Sequence, residues 1–502
     1  MMSLAGGLRP YANQSIAPLW TSAEAQARIE GVWRYTAMLA ILGLLSGCAH
    51  YQPAPLNPQL TADEFASRTL LEPGLRDQVA HLMPQAAAAW PPPAWDRGEL
   101  LAVALACSPP LAAARAQVAA ALSHEITAAE TPNPDLLLES EYARHDSHPW
   151  LYGVSLDWLL RGAERRRLDI ELARLDTANS RLQLMDEAWG LRRALTAALS
   201  DWESARRQLQ VIDRIAAAQD RLLDVDSRRV EAGEDSPGDL ITVRQARLQI
   251  ELEHAQAQQA LLGAQAAAAK ALGLPPQALD GVSFTWPEWG EPPPVDETRA
   301  RAAREQALLS RADLGLAIGE YAQAETKLQR SIARQYPQFI LSPGYYWDHG
   351  IAKFPFDVGF TLPLNRNRGE IAEARAGREL AGRHLLAIQA GIYGDIAAAE
   401  RAEQIARASA DAAQRQWQAA QLQEQQAALG LRVGAVGQHE RIGAELVSAR
   451  AELALLQMRT ELQNARNMLE DALHAPLSGP ELALVGQAPG EAVSSVASGA
   501  GS

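Results

Sequence analysis

The chain has 502 residues, with 60 acidic and 46 basic side chains and a formal net charge of −14 at pH 7. This balance argues against a nucleic-acid partner, because no basic stripe is available to neutralise phosphates. Hydrophobic residues make up 47% of the composition but aromatic residues only 6%. Alanine supplies much of the difference, which favours closely packed helices.

The N-terminal region has the pattern of an export signal. A short apolar run over residues 38–45 follows Arg28 and Arg34; a bilayer span needs about 20 residues, so the run fits a signal core instead. It ends in Leu45-Ser46-Gly47-Cys48, which resembles the bacterial lipobox. We expect residues 1–47 to be a signal region, with a true start nearer Val32, and Cys48 to be the lipid attachment residue.

Two further expectations concern the same cysteine. Ala49 follows Cys48 where aspartate would retain a lipoprotein in the inner membrane, so by resemblance the outer membrane is favoured. The alternatives are a chance apolar stretch beside a buried cysteine and a disulfide with Cys107, the other cysteine of the chain, which we interpret as a small apolar packing residue.

The rest of the chain alternates helical and strand-like patterns between proline-rich breaks. Helix is predicted over 96–129, 162–272, 297–334 and 369–474, with turns near 231–233 and 434–437 in the two longest stretches. Strands are predicted over about 136–144, 150–159, 338–347 and 353–362. The predicted organisation is an extended N-terminal segment, a first repeat, a Pro-rich linker, a second repeat and a disordered tail: 48–95, 96–273, 274–296, 297–476 and 477–502.

The two halves are predicted to be an internal repeat. Each residue of the first half then corresponds to the residue a fixed number of positions later in the second half, and this number is the repeat offset. At this offset Pro134, Leu138 and Tyr142 fall on Pro337, Leu341 and Tyr345, and Arg229-Val230 falls on Arg432-Val433. Each half therefore reads helix, strand, strand, long helix, long helix. The predicted fold class is mainly α with a small transmembrane β part.

The strands place large apolar residues on one face at a period of two. A run of 9–10 residues is the length that a tilted strand needs to cross a bilayer, and an apolar outer face with aromatic girdles is typical of lipid-facing barrels. A soluble sheet with one buried face is the alternative. The predicted lipid-facing aromatic residues are Trp150, Tyr152, Trp158, Phe354, Phe356 and Phe360.

Four strands cannot close a barrel. An unpaired backbone group in hydrocarbon costs several kcal/mol, and ordinary bacterial barrels use at least about 8 strands. The chain must therefore share its barrel with copies of itself, and the residues leave open whether two or more are needed.

The ordered set of lipobox, duplicated halves and turns resembles the TolC-like outer membrane efflux proteins (outer membrane factors) over roughly residues 49–476. The stretch from Leu362 to Ala372 looks like the strand-to-helix junction of the heavy-metal (cobalt-zinc-cadmium) branch. The resemblance implies a homotrimer with a shared 12-stranded β-barrel and a periplasmic α-helical barrel. It also implies a periplasmic adaptor (membrane fusion) protein and an inner-membrane pump of the resistance-nodulation-division type as partners.

The resemblance also assigns roles at the turns. Adaptor contact falls on Arg432, Val433 and Gly434, and, with Glu231 replacing the expected glycine, on Arg229, Val230 and Gly233. Acids that could line the tunnel entrance are Glu440, Asp235 and Asp239. A ring of carboxylates attracts cations; the alternative is that these are solvated surface acids.

No catalytic set, phosphate loop or cofactor motif is recognised, so we expect no enzyme activity, no cofactor and no metal site. His145-Asp146-Ser147-His148 is interpreted as an exposed polar loop between strands. The predicted function is a passive outer-membrane channel, lipid-anchored and extending into the periplasm. The rival is a coiled-coil lipoprotein of the envelope without a pore, which would not need the alternating aromatic strands; an enzyme is a third hypothesis.

We predict that Cys48→Ala abolishes lipid attachment, because the thiol is the acylated group, while some barrel assembly continues. Metabolic labelling with palmitate measures this, with Cys107→Ser as the control that keeps the label. Continued labelling of the Cys48→Ala protein would rule out the lipobox assignment.

Overall fold

The computed structural model describes residues 50–84 and 90–482. The chain divides into two compact units, residues 1–62 and residues 63–502. Cys48 and the predicted signal region 1–47 lie outside the described residues, as do residues 483–502 of the predicted tail.

The predicted extended segment 48–95 contains two helices, so that prediction is wrong for the described part. Helix α1 spans Pro58–Ser67 and α2 spans Pro73–Leu82. Each begins at a proline, where the missing N–H removes no helical hydrogen bond. Proline therefore starts both helices of this proline-rich segment, and Val79 of α2 is fully buried in the core.

The helix predicted over 96–129 is two helices, α3 (Arg97–Cys107) and α4 (Pro109–Ala129). Ser108 separates them; its backbone is extended and its hydroxyl accepts a hydrogen bond from Leu111 N at 3.4 Å. Within the described residues no helix taken singly has the length and apolarity of a membrane span. The pair α3 and α4, bent by 52°, reaches that threshold only when the two are joined.

Five strands form one antiparallel sheet. Its first three strands in order are β1 (Asp135–Tyr142), β2 (Trp150–Leu160) and β3 (Phe339–Asp348). Two short strands, β4 (Ile351–Lys353) and β5 (Phe356–Phe360), both pair with β3. The fourth predicted strand is thus divided in two. Pro355 lies in the gap and has no amide hydrogen to donate, although its carbonyl still accepts from Gly344 N at 2.9 Å. Pairing of β2 with β3 joins the two halves of the chain in a single sheet.

Long antiparallel helices follow each hairpin. Helices α5 (Ala163–Glu231) and α6 (Pro237–Leu272) follow the first; α9 (Arg368–Arg432) and α10 (Gln438–Leu473) follow the second. The 69 residues of α5 extend about 100 Å at 1.5 Å per residue. Helix α10 packs along α5, so the halves also meet through their long helices.

The helix predicted over 297–334 is also broken, into α7 (Glu297–Ser310) and α8 (Ala312–Ala333). The residue between them, Arg311, has an extended backbone and a buried side chain. Its guanidinium donates to the Ala472 carbonyl at 2.5 Å and pairs with Asp313 at 2.7 Å. Tertiary contacts to α10 therefore fix a break that the local pattern does not indicate.

The sequence predicts one repeat offset for the whole chain, the one that places Pro134 on Pro337. This prediction is wrong at the far ends of the long helices, where corresponding residues are fewer positions apart. The left-handed glycines of the two turns, Gly233 (φ 78°) and Gly434 (φ 74°), have a shorter spacing, here called the turn offset. Helices α6 and α10 both have 36 residues, and their first residues, Pro237 and Gln438, share the turn offset. Since α5 has 69 residues and α9 has 65, the offset changes within these helices.

The predicted Pro-rich linker 274–296 belongs to the main core. Phe284, Trp286 and Trp289 are at most 7% exposed, and residue 284 forms a bridge with Trp95. The predicted disordered tail also contributes to the core, because Leu477 and Glu481 are buried; the prediction is wrong for residues 477–482.

A buried ion cluster anchors this C-terminal stretch. Arg192 of α5 pairs with Glu470 at 2.5 Å and with Glu481 at 2.6 Å, and all three side chains are at most 7% exposed. Burial opposes the charge of Arg192, yet Glu481 and Glu470 raise its pKa above the usual value. Glu481 also lies 3.8 Å from Arg97, whose guanidinium stacks on Trp286. The cluster thus ties the end of the described chain to α3 and α5.

We predict that Glu481→Gln destabilises the fold by up to roughly 3–5 kcal/mol, the cost of removing one partner of a buried ion pair, although Arg192 keeps its pair with Glu470. Thermal unfolding in detergent measures the change. The control is Glu164→Gln, which removes an exposed partner of Arg167 and should leave the melting temperature unchanged. Equal melting temperatures for the two variants would contradict a stabilising role for the cluster.

Candidate channel surfaces

One face of the sheet is apolar and exposed. The predicted lipid-facing residues Trp150, Tyr152, Trp158, Phe354, Phe356 and Phe360 are between 47% and 78% exposed. Trp150, Tyr152 and Trp158 occupy alternate positions of β2 and therefore share a face. Phe356 and Phe360 do the same on β5, and Phe354 lies in the gap before it. Aromatic side chains exposed in such numbers mark a surface that contacts another apolar phase.

The opposite face of the sheet, here called the acidic face, carries carboxylates. The strand register places Asp135 directly opposite Asp157 and Ser342 opposite Asp357. The only basic residue that the register adds to this face is Lys353, which pairs with Asp348. A polar inner face behind an apolar outer face is the arrangement of a strand layer between lipid and water. The carboxylates of the acidic face are Asp135, Glu139, Glu141, Asp157, Asp348 and Asp357.

Both edges of the sheet are unpaired among the described residues. One edge is β1, and the other is formed by β4 and β5. Their outward backbone groups have no strand partner, and such edges pair readily with another chain.

The two helical turns, far from the strands along each helix, have the same backbone geometry but different side chains. In the first turn Gly233 N donates to the Val230 carbonyl at 3.0 Å, and in the second Gly434 N donates to the Leu431 carbonyl at 3.2 Å. This equivalence pairs Glu231, not Arg229, with Arg432. The sequence alignment that paired Arg229 with Arg432 is therefore corrected by two residues.

The predicted docking residues consequently lie in unlike surroundings. Val433 is 80% exposed and Arg432 is exposed beside it. Arg229, in contrast, pairs with Asp235 at 3.0 Å, and Val230 is half-buried. The second turn presents an apolar side chain and a cation to solvent. In the first turn the cation is already paired with a carboxylate of the same turn.

The three predicted entrance acids each have a local structural role. Asp239 accepts from Ser236 N at 3.4 Å and completes a capping box at the start of α6. Glu440 accepts from Gly437 N at 2.5 Å at the start of α10, where the glycine has no side chain to return a bond. Asp235 is the partner of Arg229. Capping carboxylates stabilise a helix start through the backbone amides and the helix dipole. A role at a tunnel entrance stays a prediction for all three.

A basic cavity lies at the junction of strands and helices, and no sequence pattern predicts it. It has a volume of about 530 Å³ and its lining includes Arg161, Arg165, Arg330 and Arg334. Arg165 donates to the carbonyls of Ala333 and Tyr336 at the end of α8; burial, and then Arg334, lower its pKa. The arginines come from distant parts of the chain, so no local motif could have indicated the cavity.

The polar loop between β1 and β2 is held by short-range contacts. Asp146 accepts from His148 N at 3.0 Å, and this hydrogen bond lowers the pKa of its carboxyl. No cluster of three metal-ligating side chains occurs within the part of the chain that the structure describes.

The fold and surfaces define a class: a duplicated subunit with long helices and a small sheet with one apolar face and two open edges. Residues 100–274 match the family model described as outer membrane efflux protein. This part of the chain is therefore similar to the outer membrane efflux proteins. A comparison with curated protein sequences gives no match.

Solved structures of outer-membrane channels share the fold. VceC of Vibrio cholerae is 16% identical with a TM-score of 0.62, covering 76% of this chain and 97% of its own. CusC is 18% identical with a TM-score of 0.62, covering 78% and 95%. The open state of MtrE of Neisseria gonorrhoeae is 18% identical with a TM-score of 0.61, covering 76% and 89%.

We predict that Val154→Arg, in the middle of β2 on the apolar face, destabilises the assembled protein in lipid by about 2–4 kcal/mol, the cost of a lipid-facing arginine at mid-depth. Urea unfolding in lipid vesicles measures the difference. The matched control is Ser155→Arg, one residue along and on the acidic face, which should be tolerated. A larger loss for Ser155→Arg would reverse the assignment of the two faces.

Proposed function

We propose that the chain is one subunit of a passive outer-membrane duct that releases substrate delivered from the periplasm. The observation that carries the proposal is the sheet, whose apolar face is exposed along its length and whose two edges are unpaired. Backbone groups at an open edge cannot be left in hydrocarbon. Copies of the chain must therefore complete the sheet, with the acidic faces enclosing water.

Three copies are the number that the family resemblance implies. Each copy contributes four strand positions, with β4 and β5 sharing the last, so a homotrimer has a 12-stranded barrel. The long helices, about 100 Å in α5, would continue the duct through the periplasm. Lipid attachment at Cys48 would anchor each subunit to the outer membrane.

The turns at the far ends of the helices are the proposed docking site for a periplasmic adaptor protein, which would connect the duct to an inner-membrane pump. The second turn is the better candidate, because Val433 and Arg432 are exposed and available for contact. A few central side chains supply most of the binding energy of a protein interface, and arginine is enriched among them. The pump selects the cargo in this arrangement, and the duct contacts it only weakly.

We predict that the purified protein inserts into planar lipid bilayers and gives stepwise conductance, since the closed barrel encloses water. Val433→Asp should conduct equally well, because the turn lies outside the strands, but should abolish export of the cognate pump's substrate in cells. A folded oligomer without conductance would favour the rival envelope scaffold. Normal export by Val433→Asp would exclude docking at the second turn.

A further inference from the structure

The basic cavity at the junction of strands and helices lies on the acidic side of the sheet. Leu159 of β2 lines the cavity and alternates with its neighbours so that it shares a face with Asp157. Gln338, just before β3, also lines the cavity. It continues the alternation that places Ser342, the partner of Asp357, on the acidic face. In the proposed duct the cavity therefore faces the enclosed water and not lipid.

Two of the four arginines in the lining have a carboxylate partner. Arg330 Nε lies 2.6 Å from Asp169 Oδ1, although it is not aligned to donate a hydrogen bond to that oxygen. Arg334 donates to Glu370 at 2.9 Å. The charges of these two arginines are therefore compensated within the chain.

The other two arginines carry charge that no carboxylate partner neutralises. Arg165 forms no ion pair among the described residues, and it donates to the carbonyls of Ala333 and Tyr336. The guanidinium of Arg161, exposed just after β2, makes neither an ion pair nor a hydrogen bond within the described part of the chain. Helix α5 begins beside both at Ala163, and the N-terminus of a helix adds positive potential. The cavity thus combines uncompensated positive charge with free donors.

The lining has the chemistry of a site for an organic anion. A guanidinium presents its N–H groups in a fork that matches the oxygens of a phosphate or carboxylate. Thr361 and Gln338 add a hydroxyl and an amide to the lining, while Leu159, Pro337 and Pro363 add apolar atoms. The volume of about 530 Å³ falls in the range of about 300–1,000 Å³ that is typical of sites for organic ligands. A single inorganic ion would fill only part of this space.

We propose that the cavity is an anion subsite in the wall of the duct, where Arg161 and Arg165 bind the phosphate or carboxylate group of an organic solute during its passage. The inference rests on the proposed duct, since it names a class of cargo for it. Binding is weak in this arrangement, because a solute that enters a conduction path must also leave it. Repulsion by the acidic face does not exclude such a solute, since charges are screened beyond about 8 Å at physiological ionic strength.

The subsite is tested with inorganic phosphate and the full-length oligomer in detergent at low ionic strength, where the attraction is least screened. Exchange between solution and site should broaden the phosphorus NMR signal of phosphate in a saturable way. Arg161→Gln should weaken the phosphate affinity at least about tenfold, the usual effect of losing a hydrogen bond to a charged group. Because Arg161 has no partner in the chain, this variant should assemble with an unchanged yield of oligomer.

The matched control is Arg181→Gln, which removes an exposed arginine of the same helix. Arg181 lies about 27 Å along α5 from its first residue, so its loss should leave the phosphate affinity unchanged. Equal affinities of the Arg161→Gln and Arg181→Gln proteins, or no broadening with the unmodified protein, would overturn the anion subsite.

Two further probes test the class of ligand and its source. Phenyl phosphate should bind more tightly than inorganic phosphate, because the apolar part of the lining can contact its ring; equal affinities would reject an organic anion. Micelles containing phosphatidic acid present a lipid phosphate, and they should compete no better than micelles containing phosphatidylcholine. Displacement of inorganic phosphate by phosphatidic acid would place the cavity against lipid and overturn its assignment to the duct wall.

The duct itself is tested separately, by stepwise conductance of the same preparation in planar bilayers. Conductance without an effect of Arg161→Gln on phosphate affinity would leave the duct intact and reject the subsite. Phosphate binding that depends on Arg161, in an oligomer without conductance, would instead reject the duct and with it the passage of the anion.

Discussion

A backbone amide or carbonyl in hydrocarbon must be hydrogen-bonded to protein, because no water is present to replace a missing partner. The sheet of this chain satisfies the rule in its interior and breaks it at two edges, β1 and β4/β5. Every larger feature depends on resolving that deficit. In the proposed duct the apolar face contacts lipid, lipid forbids open edges, and the open edges require further copies of the chain.

The packing of the helical part depends on a few buried ion pairs, which join segments that are distant in sequence. Arg192, Glu470 and Glu481 bring the C-terminal stretch against α5, and Arg311 ties the break between α7 and α8 to α10. Alanine-rich helix faces bury little area per residue, so close approach and specific pairs determine how these helices fit. Buried pairs cost desolvation when they form, but each also excludes arrangements that leave a charge alone. They therefore select one packing among many that alanine would tolerate.

Elements with a strong local signal were predictable from the sequence. Long helices, turns at glycine and alternating strands follow from periodicity and backbone freedom, and the fold class is confirmed by the structure and by the solved channels. The prolines that begin α1 and α2 did not predict helices, since a proline that ends regular structure and one in a first helical turn look alike locally. The breaks at Ser108 and Arg311, the burial of residues 284–289 and the basic cavity depend on tertiary contacts, which no local pattern encodes. The shorter turn offset was hidden because Arg229-Val230 and Arg432-Val433 match by chance at the wrong spacing.

The unlike turns of the two halves have a consequence for recognition. In the proposed homotrimer, six turns would alternate around the ring, one kind with Arg229 paired to Asp235 and the other with Val433 exposed. A binding protein meeting this rim finds two chemistries rather than six equal ones. Its copies must either occupy alternate loops or bind neighbouring loops through different surfaces, so the duplication that built the subunit does not give the assembly true sixfold equivalence.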